Sequence, residues 1–225
     1  MNWFKKLRIE VKFISAFILV STVGLAVGIT GIRNMANVNE MADQIYEKEL
    51  LGLSYLKEAN INLIYMARAE KNAILATTEQ DRLGFVDRAK KSEVIYQDYL
   101  QRAKPLFYTE RGKEGFAKVE KAWGEYITVH KQVLDLALTE KLSEKKASSD
   151  LSMGLARQKI EILDKVLTDL TREKEANAKG LSDASTHLYE SSRTIMIILT
   201  IVGFFAGIGL GIVMTLSVTR PIKRI

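Results

Sequence analysis

Two stretches without a single charged residue, 13–32 and 194–219, stand near opposite ends of this chain, and every charge lies between or outside them. An α-helix rises about 1.5 Å per residue and the hydrocarbon core of a bilayer is about 30 Å thick. The 20 and 26 uncharged residues are each enough to cross that core as a helix, and in lipid a lone segment hides its backbone polar groups only by being helical. The pattern predicts a two-span membrane protein. It divides into an N-terminal tail 1–12, a first span 13–32, a polar segment 33–193, a second span 194–219 and a short tail 220–225.

The flanking charges orient it. Lys5, Lys6, Arg8 and Lys12 precede the first span against a single Glu10, and Arg220, Lys223 and Arg224 follow the second. Short basic flanks stay cytoplasmic, so both termini are expected inside and 33–193 outside. That middle segment carries 26 basic and 26 acidic residues, so the formal charge of +6 belongs wholly to the flanks. A pI near 9.3 would otherwise suggest nucleic acid as a partner, but a neutral outer segment excludes it. The first apolar stretch exceeds the roughly 7–15 residues of a signal peptide's core and no A-x-A site follows it. Its helical pattern also runs on through Met35, Val38, Ala42 and Ile45, which makes it a span and not a cleaved leader. With no cysteine, the chain has no disulfides, no thiolate chemistry and few ways to hold zinc.

Between the spans, apolar positions recur at intervals of three and four, the spacing of one face of an α-helix. One seam is Leu53, Leu56, Asn60, Leu63, Ala67, Glu70 and Ile74; another is Phe116, Val119, Trp123, Tyr126, His130, Val133 and Ala137. A third runs through Ala156, Ile160, Leu163, Leu167 and Leu170 and continues through Lys174 and Asn177. A less regular helix carries Val86, Ala89, Tyr96, Leu100 and Ala103. Thr78 is a candidate N-cap ahead of Glu79, Pro105 ends the second helix at Lys104, and Thr109 is a candidate cap for the third. The last break is expected near 139–143, with 148–150 as its alternative. The predicted fold is therefore all-α: an antiparallel up-down-up-down four-helix bundle flanked by two transmembrane helices.

The first and fourth helices outrun the second and third, and the polar run 171–179 is expected to need cover from a second copy. Ile61, Ile64, Arg68 and Leu75 form a second face on the first helix suited to a homodimer. Gly24 with Gly28, and Gly203, Gly207 and Gly211, have the small-residue spacing that lets spans approach closely.

No catalytic, nucleotide-binding or metal motif is present, so the chain is read as a non-enzyme without metal or cofactor. Binding is the better prospect. Counted from the two connections at one end of the bundle, Arg68, Arg88, His130 and Arg157 fall into a slab about 8 Å thick. Guanidinium groups there suit a small anionic ligand, with Tyr65, Asn72, Tyr126 and Trp123 available to orient it.

These features together resemble the sensory half of a bacterial methyl-accepting chemotaxis receptor. The resemblance rests on Gly31, Ile32 and Arg33 followed by Val38 and Asn39, on the run Glu58 to Leu63, on Ala67, Arg68 and the run Asn72 to Ala76, and on Thr219, Arg220, Pro221 and Ile222, which look like the opening of a HAMP relay domain. It implies a homodimer in the bacterial inner membrane with its bundle in the periplasm. Ligand binds the membrane-distal part of the bundle near first-helix arginines and shifts the fourth helix. HAMP and a cytoplasmic hairpin then act on a histidine kinase and its adaptor. Arg68 matches the family's first-helix arginine, whereas Lys71 stands beside Asn72 where relatives often carry another arginine. Membrane histidine kinases and nucleotide cyclases share such sensory halves, and a structural membrane-anchored coiled coil is a further alternative. Delivery of the ligand by a binding protein also stays open.

Overall fold

The computed structural model describes residues 8–222, with side chains as far as Leu216. The side chains of Arg220 and Pro221, which carry the HAMP resemblance, lie outside the described residues. Four helices make up the described residues: α1 (Ile9–Leu75), α2 (Glu79–Ala103), α3 (Glu110–Thr139), and α4, which begins as Lys146–Leu151, passes through a π turn at Ser152–Ala156 and continues as Arg157–Ile222. α1 has its own π turn at Ile45–Leu50. The described residues contain no strand. Two compact units result, Asp43–Leu181 with the bundle, and the paired apolar segments.

The caps explain where the helices start. The Thr78 hydroxyl accepts from the Asp81 backbone N–H at 3.1 Å, and the Thr109 hydroxyl accepts from Gly112 N–H at 3.0 Å. Each satisfies one of the donors that the first turn of a helix leaves open. Pro105 follows Lys104 as expected, and α2 tightens there into a 3₁₀ turn, Lys104–Leu106. The last break falls at the first of the two expected places, with α3 ending at Thr139. There the Glu140 carboxylate accepts from the backbone N–H groups of Ala147 (2.7 Å) and Ser148 (3.2 Å), so an anion sits at the start of α4. Two cations close the opposite helix ends. Buried Arg82 donates to the Glu140 carbonyl at 2.7 Å, and Lys145 donates to the Ala76 carbonyl at 2.9 Å, each at a C-terminus left with free acceptors.

All four helices contribute to one core, with Leu56, Leu63 and Met66 from α1, Tyr96 and Leu100 from α2, Phe116, Val119 and Tyr126 from α3, and Leu163, Leu167 and Leu170 from α4. Each fully buried leucine contributes about 1.5–3 kcal/mol relative to exposure. Most seam residues are buried, including the polar Glu70, His130 and Lys174, while Leu53, Asn60, Ala67, Trp123, Ile160 and Asn177 are half-buried at the edges of those faces. One expectation is corrected in part. Within 171–179, Lys174 is buried and Glu173 largely so, because the α2–α3 connection of the same chain folds over them, while Arg172, Glu175, Ala176 and Lys179 are exposed. Ile61, Ile64 and Leu75 are exposed, as the second face of α1 requires.

In the apolar unit, a Cβ on Gly203 would come within 3.0 Å of Val23 and one on Gly207 within 4.0 Å of Val20, so these glycines admit the first segment closely. Gly24 and Gly28 meet no such neighbour and do not carry that contact. Both segments are long and apolar enough to cross a membrane.

Candidate ligand-binding site

α1 and α2 pack side by side and leave a groove of about 320 Å³ between them, lined by Tyr65, Arg68, Ala69 and Asn72 from α1 and by Phe85, Arg88, Lys91 and Ser92 from α2. Residues 65, 68, 69 and 72 share a helix face because they step by three and four, and 85, 88 and 92 repeat the step on the facing helix. The Arg68 guanidinium lies 5.3 Å from the centre of the Tyr65 ring, and that of Arg88 lies 5.2 Å from the Phe85 ring. Stacking on a ring face holds a guanidinium in place while its N–H groups stay free to donate. Neither arginine has a carboxylate partner among the described residues, whereas Lys91 is paired with Asp87 at 2.8 Å. The groove thus presents two uncompensated cations, the Asn72 amide and the hydroxyls of Tyr65 and Ser92 beside Ala69. A small anion fits that chemistry, since an arginine fork takes a carboxylate through two parallel hydrogen bonds.

The structure brings four of the seven expected site residues together, Tyr65, Arg68, Asn72 and Arg88, and separates the other three. Arg157 is exposed on α4 and ion-paired with Glu161 at 2.9 Å. Tyr126 and His130 sit inside the bundle, and Trp123 stacks on Tyr96 with ring centres 4.1 Å apart. Equal height along the bundle placed them in one layer; the rotation of each helix decides what they face, and that points Tyr126 and His130 inward.

What His130 faces is a buried polar cluster that motif reasoning missed. Its Nδ1 is 2.5 Å from Glu70 Oε2, the Ser152 hydroxyl donates to Glu70 Oε1 at 2.5 Å, and Lys71 Nζ reaches the same oxygen at 2.9 Å. Burial pushes the Glu70 carboxyl up, but His130, Ser152 and Lys71 together outweigh it and hold the group below the usual carboxylate range. Glu70 is therefore ionised, and His130 donates its Nδ1 proton. Tyr126, 3.5 Å from the same nitrogen, is kept protonated chiefly by burial, then by the Glu70 charge. A serine, a histidine and a carboxylate here do not make a nucleophile. Ser152 donates to the carboxylate and not to the imidazole, and all three are closed to solvent. The cluster joins α1, α3 and the π turn of α4. The signal that could have found it was in the seams, where a Glu and a His occupied core positions of two helices and needed partners.

No group of His, Asp and Glu among the described residues has the arrangement to hold a metal ion. A family model for a four-helix-bundle sensory module for signal transduction matches residues 6–189. None of the curated proteins compared with the chain matches it.

Proposed function

Because the chain belongs to the family of four-helix-bundle sensory modules for signal transduction, we propose that it is the sensing part of a two-span chemoreceptor that binds a small organic anion or amino acid in the α1–α2 groove. The observation that carries this reading is the pair of uncompensated arginines in one groove, each stacked on an aromatic ring. On this reading the basic flanks keep both termini in the cytoplasm and the bundle lies outside the bacterial inner membrane. A second copy covers Ile61, Ile64 and Leu75, and occupancy of the groove biases α4, which passes the change to a HAMP relay and a kinase with its adaptor. A ligand shifts such an equilibrium only by its differential affinity for the two states, and about 1–3 kcal/mol is typical coupling.

A thermal-shift screen of organic acids and amino acids on the full chain in lipid nanodiscs tests the proposal, since a ligand of the folded state raises its melting point. One or more anions are expected to raise it, and Arg68→Ala is expected to remove that rise while leaving the ligand-free melting point unchanged. Equal ligand affinity in parent and Arg68→Ala would refute the assignment.

A further inference from the structure

At the end of the bundle that holds the α2–α3 connection, α4 carries four consecutive charged residues, Arg172 to Glu175, and the last three each reach a different neighbour. Glu173 accepts from the Thr109 hydroxyl at 3.3 Å and lies 3.7 Å from Arg111 Nε. Lys174 donates to the Leu106 carbonyl at 2.5 Å and sits 3.2 Å from Glu49, which lies in the π turn of α1. Glu175 reaches Lys57 of α1 at 3.7 Å. Lys174 and Glu49 are fully enclosed, at 2 % and 1 % exposure. The Lys174 ammonium lies 4.5 Å from the Phe107 ring centre and 5.3 Å from that of Tyr108. Gly52 makes room for its stem, since a Cβ there would fall 2.9 Å from Lys174 Cε.

A buried ion pair is a poor way to gain stability, because taking both charges out of water costs about as much as their attraction returns. What it does well is distinguish one alignment from the next. The alternation is what makes this pair selective: α4 reads Glu173, Lys174, Glu175 and α1 reads Lys48, Glu49. Slipping α4 by one residue turns it by about 100° and advances it by about 1.5 Å. That slip sets a carboxylate against Glu49 and leaves the Leu106 carbonyl without its donor. Against a slip of a full turn the apolar layers above discriminate poorly, since Leu163, Leu167 and Leu170 themselves recur at three and four, whereas that slip puts Leu170, Thr171, Asn177 or Ala178 where Lys174 stands and leaves Glu49 buried without a cation.

We propose that the Glu173–Lys174–Glu175 triplet and Glu49 form a register lock that permits one setting of α4 against α1, so that any displacement of α4 must first part Lys174 from Glu49. The lock specifies alignment and adds little to stability. It does not depend on the groove or on any ligand.

The chain has no cysteine, so two introduced thiols are its only labelling sites. Nitroxides at the exposed positions Ser54→Cys and Arg172→Cys, in full chain diluted with unlabelled chain in nanodiscs, report the α1–α4 alignment by pulsed electron resonance. The parent is expected to give one sharp distance. The uncharged double variant Glu49→Gln with Lys174→Met is expected to keep its helix content and urea midpoint yet show a second distance or a severalfold broader distribution. Charge reversal, Glu49→Lys with Lys174→Glu, is expected not to restore the sharp distance, because the flanking Lys48, Glu173 and Glu175 then repel the new residues. A single sharp distance in either double variant would overturn the proposal, and so would failure of the uncharged double variant to fold.

Discussion

Replacing His130 with leucine tests the buried cluster most sharply, because it removes one partner of a fully enclosed pair while filling the same space. Glu70 and His130 are each 1 % exposed. Taking a hydrogen-bond donor from a buried charged group costs about 1–3 kcal/mol or somewhat more. Glu70 keeps Lys71 at 2.9 Å and Ser152 at 2.5 Å but loses its bond to His130, which places His130→Leu at about 3 kcal/mol. At about 2–4 °C per kcal/mol for a domain of this size, that lowers the melting point by about 10 °C. The double variant Glu70→Leu with His130→Leu removes the buried charge itself, and Lys71, 39 % exposed, can turn to water. The double variant is therefore expected to be more stable than the single one. Trp123, stacked on Tyr96, reports unfolding in urea once the only other tryptophan is removed by Trp3→Phe. A single variant that loses under about 1 kcal/mol, or a double variant less stable than the single, would show that Glu70 does not rely on His130.

Acid should act through the same carboxylate. A group whose folded pKa lies below its unfolded value supplies stability that is fully present above the unfolded pKa and is lost as pH falls through the folded one. For Glu70 that window lies below about 4.5, so the urea midpoint of the parent should fall there more steeply than that of Glu70→Gln, and parallel acid limbs would count against the cluster. Leu163→Ala opens space at a fully buried α4 position in the core to which all four helices contribute, and is expected to cost about 2–5 kcal/mol by urea unfolding with unchanged anion binding. A loss below about 1 kcal/mol would mean that the apolar layers do not carry the bundle.

Much of the fold was legible because helices announce their buried faces by spacing. The seam through Phe116, Val119 and Tyr126, the cap at Thr78 and the stop before Pro105 are local properties, and local properties survive in the sequence. The two π turns did not show, since one extra residue in a turn depends on what Glu49 and Ser152 bond to across the bundle. The groove was half legible: Tyr65, Arg68 and Asn72 share a helix face by spacing alone, but Arg88 joins them only through the rotation of α2. Conversely, Glu70, His130 and Lys174 were visible as polar residues on core stripes, and which of them would meet depended on long-range packing that spacing does not encode.

A transmembrane sensor needs its bundle and its tails on opposite sides of a bilayer. Single cysteines placed at exposed Lys141, between α3 and α4, and at Lys5 can be challenged with a membrane-impermeant maleimide on intact cells and again after lysis. Labelling of Lys141→Cys on intact cells, with Lys5→Cys labelled only after lysis, is the expected result. Labelling of both positions on intact cells, or of neither, would contradict the account.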